Sequence, residues 1–162
     1  MSNRLAIGDV FEVPLDASVV GFIQYVARDV SQLNSQVVRV FRRRCREDVA
    51  PDVSEIVHGE IDFYAHVFLG AGIKQKFWRK VARADVVGEV NVLFRNSSDY
   101  GKSKHKTSNN WFVWRIDSPY IHVGALSGIY RNAEVGVVVP PDSLVHRMKN
   151  GSYDFFYPDP ES

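Results

Sequence analysis

Hydrophobic and polar positions alternate from the start of the chain. In Asp9-Val10-Phe11-Glu12-Val13-Pro14-Leu15, the apolar residues Phe11, Val13 and Leu15 are separated by Glu12 and Pro14. That period of two predicts a strand with one buried and one wet face. Gly8-Asp9 supplies a turn before it and Asp16-Ala17-Ser18 a turn behind it. Residues 19–27 are dense in β-branched and aromatic side chains, with Gly21 marking a bulge or a close approach. After a polar loop at 31–35, Val37-Val38-Arg39-Val40-Phe41 predicts a third strand. Three short, closely spaced strands predict a meander that opens a twisted sheet or small barrel.

Further along, Asp52 as cap, Glu55 three residues later and Gly59 as stop predict a short helical turn over 51–59. Phe63, Ala65, Val67 and Leu69 form one side of a strand, and Asp62, Tyr64, His66 and Phe68 the other. Residues 73–87 are ambiguous, because Phe77, Val81 and Ala84 keep a helical spacing while 86–94 reads as extended. Trp111-Phe112-Val113-Trp114-Arg115-Ile116 and Tyr120-Ile121-His122-Val123 predict two strands joined at Asp117-Ser118-Pro119. Another strand is expected over 135–139. Pro140-Pro141-Asp142 opens a short helix to Met148 or Lys149, closed by Gly151. These elements give a β-rich α+β domain over 1–152, built on a twisted antiparallel sheet or small open barrel with one or two short helices. The tail 153–162 is expected to fray in part. Gly70-Ala71-Gly72 reads as a turn.

Composition narrows the function classes. The chain has 162 residues, and 20 Lys and Arg against 19 Asp and Glu leave a formal charge of +1. No bulk field therefore draws nucleic acid or an acidic membrane. Cys45 is the only cysteine, which excludes an intramolecular disulfide and a thiolate metal cluster. A single thiol among arginines suits a reducing cytoplasm, and the early charges Arg4 and Asp9 leave no room for a signal-peptide apolar core. The longest uncharged stretch, 118–130, is too short and too polar to span a bilayer.

Candidate chemistry is sparse. Guanidinium groups near Cys45 would lower its thiol pKa, but no catalytic cysteine signature surrounds it. No two of His58, His66, His105, His122 and His146 fall three or four residues apart, so no helical metal pair exists. His66 and His122 both lie on predicted strands, where they are read as polar strand positions or, less simply, as a convergent pair. No metal or cofactor is expected. Arg42-Arg43-Arg44-Cys45-Arg46, with Arg39 before it, is the densest charge run. It reads as a solvated strand end offset by Glu47, Asp48, Asp52, Glu55 and Glu60, or as a grip on an acidic protein or on phosphates.

The loop 96–110 has no aliphatic apolar residue with which to order itself on a core. Lys102, Lys104, His105 and Lys106 precede Trp111, Phe112 and Trp114, a pairing of charge and rings that suits either single-stranded nucleic acid or a protein interface. Alternation assigns Phe112, Trp114 and Ile116 to the core and leaves Trp111 as the surface ring.

The segments Gly8-Asp9-Val10-Phe11-Glu12-Val13-Pro14-Leu15 and Gly21-Phe22-Ile23-Gln24-Tyr25-Val26 resemble the start of the immunity protein 26 family of bacterial polymorphic-toxin systems. There a Gly-Asp-x-Phe-x-Ile-Pro-Leu strand precedes a strand with a Gly-x-x-Gln core. Trp78 and the valine-rich stretch after it are similar to the family's middle, and the resemblance covers the first third of the chain, more loosely to Phe94. It implies a small cytoplasmic protein that performs no chemistry and neutralises a cognate toxin by covering its active site or substrate groove. In such a protein, specificity falls on exposed loops and strand edges. The expected partner-binding residues are Tyr100, Lys104 and Trp111, with Arg42 and Arg44 second. Two rivals stand beside this reading. One is a nucleic-acid-binding β-barrel module using the Arg39–Arg46 run and the lysine loop. The other is a small-barrel toxin ribonuclease, which calls for an Arg-Pro pair that Val26-Ala27-Arg28-Asp29-Val30 lacks.

Overall fold

A computed structural model describes residues 4–101 and 106–160. The N-terminal meander forms as β1 (Asp9–Pro14), β2 (Val19–Asp29) and β3 (Ser35–Arg46), and continues into β4 (Ile61–Val67). β5 (Arg79–Arg83) joins the free side of β1, giving an antiparallel five-stranded sheet of order β4-β3-β2-β1-β5. A second sheet contains β6 (Leu93–Ser97), β8 (Trp111–Arg115), β9 (Ile121–Gly124) and β10 (Glu134–Val135), in the order β10-β6-β8-β9. Two short strands, β7 (Thr107–Ser108) and β11 (Asp159–Pro160), pair with each other in parallel. The helices are α1 (Val53–Val57), α2 (Leu69–Lys74) and α3 (Pro141–Asn150), with a 3-10 turn at Gly128–Asn132. Among the described residues no sheet closes into a barrel, so the chain is a β-rich α+β domain on twisted antiparallel sheets.

Both faces of the five-stranded sheet are covered. Phe11, Val13, Leu15, Ile23, Val38, Val40, Phe63, Ala65, Val67 and Leu69 pack on one side with Trp78 and with Leu144 and Met148 of α3. Among them, Phe11, Val13 and Leu15 and the set Phe63, Ala65, Val67 and Leu69 are the positions that period-two alternation places on one side. Gly21 sits where a Cβ would come within 2.8 Å of the Met148 methyl and 3.3 Å of Leu15, and the ladder to β3 shifts register beside it. It is both the bulge and the close approach. The other face holds Val10, Val20, Phe22 and Phe41 against Ile56 and Val57 of α1, which Asp52 caps by accepting from the Ser54 amide. Fully burying one such side chain contributes about 1.5–3 kcal/mol.

Residues 134–139 tie the two sheets together. Glu134 and Val135 pair with β6, the Gly136 amide donates to the Arg95 carbonyl at 2.8 Å, and Val138 then bridges His66 of β4. The strand expected over 135–139 is thus split between two sheets. The ambiguous stretch after Leu69 resolves into α2 and the edge strand β5, so the helical spacing of Phe77, Val81 and Ala84 does not build a helix. Gly70-Ala71-Gly72 lies inside α2 rather than in a turn. The indole of Trp78 packs so close to Gly72 that a Cβ there would lie 2.0 Å from the ring. Of the extended reading over 86–94, only Leu93 and Phe94 join a strand.

The tail is a further correction. Tyr153, Phe155 and Tyr157 pack against the core, and the Tyr157 hydroxyl donates to the Arg95 carbonyl at 2.6 Å. Asp159 and Pro160 pair with Thr107 and Ser108. Period-two alternation, with Asp154 and Phe156 outward, fixes the tail as an added layer.

Candidate functional site

Clusters of polar side chains lie inside the molecule. The first centres on Asp29 at the end of β2, which is fully buried together with His66. Asp29 Oδ2 accepts from the Trp114 indole N–H at 2.9 Å and lies 2.9 Å from His66 Nε2. Its Oδ1 accepts from the amides of Asp117 at 2.9 Å and Gln32 at 3.2 Å. Burial lowers the His66 imidazole from its ordinary value, while Asp29 pulls the other way. The neutral ring therefore donates from Nε2 to the carboxylate, and Phe94 packs edge-on against it at 4.2 Å between ring centroids. Both side chains are sealed from solvent, and through them Asp29 joins β2 to β4 and β8.

This cluster makes stability depend on pH. The unfolded histidine takes up its proton from about pH 6.5 downward, whereas the folded ring resists it. Its contribution is complete above that value and falls as the pH drops through the window between 6.5 and the lowered folded value, by up to about 1.4 kcal/mol per pH unit. Urea unfolding between neutral and mildly acidic pH should show this slope, and His66→Gln should flatten it. An unchanged slope in the variant would assign the acid sensitivity to other groups.

The second cluster joins Gln24 and Arg39, both buried. Arg39 Nε donates to Gln24 Oε1 at 2.8 Å and its terminal nitrogen to the Val57 carbonyl at 2.9 Å. Gln24 in turn donates to the carbonyls of Gly8 and Val86 at 3.1 and 3.0 Å. The Gln of the second strand thus acts as a structural tie between the first turn and the segment after β5. Arg39, counted with the surface charge run on sequence, belongs to the interior.

The rest of that run is largely compensated. Arg42 pairs with Glu60 at 3.2 Å and Asp62 at 3.4 Å, Arg43 with Glu55 at 3.3 Å, and Arg46 with Asp48 at 3.0 Å. Exposed Arg44 donates to the Met148 carbonyl at the end of α3, where a cation also complements the helix dipole. Burial pushes the Cys45 thiol up, outweighing the opposing pull of Arg43, so the guanidinium groups do not activate it.

The stem of the 96–110 loop is ordered by polar groups. Ser97 and Ser108 hydroxyls lie 2.6 Å apart, and Ser108 Oγ and Asn110 Nδ2 donate to Asp99 Oδ2 at 2.7 and 3.0 Å. Ser97, Asp99 and Ser108 are buried, so hydrogen bonds replace the missing aliphatic contacts. Tyr100 is exposed, with its ring 5.3 Å from that of Tyr157. Lys102, Lys104 and His105 lie outside the described residues.

Trp111 requires correction. It is fully buried, its indole N–H donates to the Ser108 carbonyl at 2.7 Å, and its ring lies 4.6 Å from the Arg95 guanidinium. Both faces of β8 are covered. Val26, Val37 and Phe94 pack with Trp114, and Leu126 and Ala133 pack with Trp111. Alternation names the faces correctly but cannot tell that each has a neighbour. His66 and His122 are not brought into a common site, for His66 is interior and His122 is exposed on β9.

The exposed apolar surface lies elsewhere. β9 ends its sheet, with no described strand on its outer side. Beside it Ile121 and Ile129 are 57% and 64% exposed, while Tyr120, 55% exposed, leans on Phe112 on the opposite face of the sheet. Ile121 and Ile129 border an apolar groove of about 260 Å³ that also involves Leu93, Val113, Pro119 and Tyr130. The turn leading into β9 is rigidly held. Asp29 accepts the Asp117 amide, Asp117 Oδ1 accepts from the Ser31 hydroxyl at 3.0 Å, and Tyr120 leans on Phe112 at 5.1 Å. The uncharged stretch 118–130, too short and too polar to span a bilayer, runs through this surface. Its apolar residues without charged neighbours were the signal for this surface.

A second cleft of about 320 Å³ lies beside β5, over Phe22, Val53 and Ile56. Of its charged lining residues, Glu12 pairs with Arg79 at 3.0 Å and Asp48 with Arg46 outside the cleft. Comparisons with protein-family models, with curated proteins and with solved structures found no match to the chain. No helix among the described residues is long and apolar enough to cross a membrane.

Proposed function

We propose that this protein is a non-catalytic inhibitor that neutralises a bacterial toxin by stoichiometric protein–protein binding in the cytoplasm, with the β9 edge and its apolar groove as the contact. The observation that carries the reading is the coincidence of a strand edge unpaired among the described residues with exposed Ile121 and Ile129 beside an apolar groove. A free edge offers backbone hydrogen bonds to an incoming strand, and flanking pockets take its alternate side chains. The buried Asp29 anchor fixes the turn before binding, which reduces the ordering cost of association. That the partner is a toxin is supported by the Gly8–Leu15 and Gly21–Val26 resemblance. The nucleic-acid alternative draws less support, because Arg39 is interior and Arg42, Arg43 and Arg46 are matched by carboxylates.

Ile121→Asp is expected to weaken the captured partner's affinity by more than about 1 kcal/mol, as central apolar anchors do, while leaving urea unfolding of the free protein nearly unchanged. Calorimetric titration of the partner into both proteins measures this. Equal affinities would move the contact to another surface.

A further inference from the structure

A cleft of about 260 Å³ between α3 and the C-terminal tail is lined by Arg95, Arg147, Tyr153, Phe155, Tyr157 and Asp159 among others. Its two guanidinium groups are held by rings rather than carboxylates. Arg95 lies 4.6 Å from the Trp111 ring centroid and 5.3 Å from that of Tyr157, and Arg147 lies 3.8 Å from Phe63 and 4.8 Å from Tyr153. Among the described residues neither arginine is in a salt bridge. Arg95 Nε donates to the Ala133 carbonyl at 3.3 Å, but one terminal nitrogen, Nη1, is buried without a hydrogen-bond partner.

Stacking on a ring occupies the faces of a guanidinium and leaves its N–H edges to find acceptors. A buried N–H without an acceptor is costly, and a charged one more so. Burial lowers the Arg95 guanidinium from its ordinary value, with the charge of Arg147 adding to that effect. The opposing charges nearby are Asp159, which also lines the cleft, and Glu134, whose carboxyl burial pushes up toward its neutral form. Burial pushes the Tyr153 hydroxyl up to about 12, so it stays a neutral O–H.

We propose that this cleft binds a phosphoryl group, whose oxygens accept from Arg95 and Arg147 while the stacked rings of Tyr153 and Phe155 flank whatever the phosphoryl group is attached to. A carboxylate offers two oxygens in one plane, whereas a phosphoryl dianion offers three oxygens in a tetrahedral array that suits two arginines arriving on different elements. Arg95 comes from β6 and Arg147 from α3. The Tyr153–Phe155 pair, stacked at 4.8 Å, supplies the apolar wall that a phosphate monoester carrying a ring can use. This site is independent of the toxin-binding proposal and uses none of its residues.

The test follows the arginine Nε–H resonances of the full-length protein by NMR at constant ionic strength. Inorganic phosphate, adenosine monophosphate and acetate are titrated separately. Phosphate should produce saturable shifts at Arg95 and Arg147 with an affinity at least about tenfold above that of acetate. Tighter binding of the nucleotide identifies a phosphate monoester as the ligand, and equal binding identifies inorganic phosphate. Arg147→Gln should weaken phosphate about tenfold, and Lys149→Gln on the same helix should not. Should Arg147→Gln fail to fold, the wild-type titrations still decide. Absence of saturable shifts overturns the proposal. Acetate binding as tightly as phosphate also overturns it, and would point to a partner's carboxylate instead.

Discussion

Trp111→Ala is expected to lower the free energy of unfolding by about 3–5 kcal/mol, a large share of the roughly 5–15 kcal/mol that stabilises a domain. The side chain is fully buried, so its removal leaves a cavity walled by Val113, Leu126 and Ala133. It also deprives the Ser108 carbonyl of its indole donor and Arg95 of a ring face. Tyr157, whose ring lies 6.0 Å away, and through it the docked tail, would loosen as well. Urea unfolding measures the loss. Trp111→Phe should recover much of the stability, since it retains most of the volume and forfeits the hydrogen bond. A cost below about 1 kcal/mol for the alanine variant, the range of typical surface positions, would return Trp111 to the surface.

Asp29→Ala is expected to cost a comparable amount for a different reason. Two buried ring donors, the His66 Nε2–H and the Trp114 indole N–H, lose their common acceptor. Each orphaned buried donor costs about 1–3 kcal/mol, and the amides of Asp117 and Gln32 lose theirs as well. Asp29→Asn should cost less, because the amide oxygen still accepts. Because Asp29 holds the turn that presents Tyr120 and Ile121, partner affinity should fall in Asp29→Asn even where the protein remains folded. Chemical unfolding and a binding titration on the same sample separate the two effects. Full affinity in a folded Asp29→Asn protein would show that the turn needs no buried anchor.

These two residues also show what was legible in the sequence. Period-two alternation revealed Phe11, Val13 and Leu15, and Phe63 through Leu69, as core positions because each strand segment has a strong local pattern. Pro140-Pro141-Asp142 at one end and Gly151 at the other revealed α3. Trp111 was misplaced because alternation identifies two faces but not how many of them are covered, and here the tail and the 126–133 segment cover the second. The tail itself, Tyr153-Asp154-Phe155-Phe156-Tyr157, alternates as a strand does, yet its docking depends on partners such as Arg95, 62 residues away in the chain. Asp29 and His66 are separated by 37 residues and Asp29 and Trp114 by 85, so no spacing rule joins them. The Arg42–Arg46 run was visible as charge, and its neutralisers were visible too, but the pairing depends on β3 lying beside β4 and α1. The exposed Ile121 escapes the sequence reading because an apolar residue on a strand is by default read as core, and Ile129 because it lies in a 3-10 turn with no strand or helix pattern.

The most direct test of the toxin-inhibitor reading is affinity capture by the intact protein from its source cell, at moderate salt and after nuclease treatment, followed by assay of the retained partner. The expected result is one stoichiometric protein of toxin type, whose activity is abolished in the complex and restored when Ile121→Asp replaces the wild-type protein. Retention of no protein, with nucleic acid captured only when the nuclease is omitted and lost at higher salt, would contradict it.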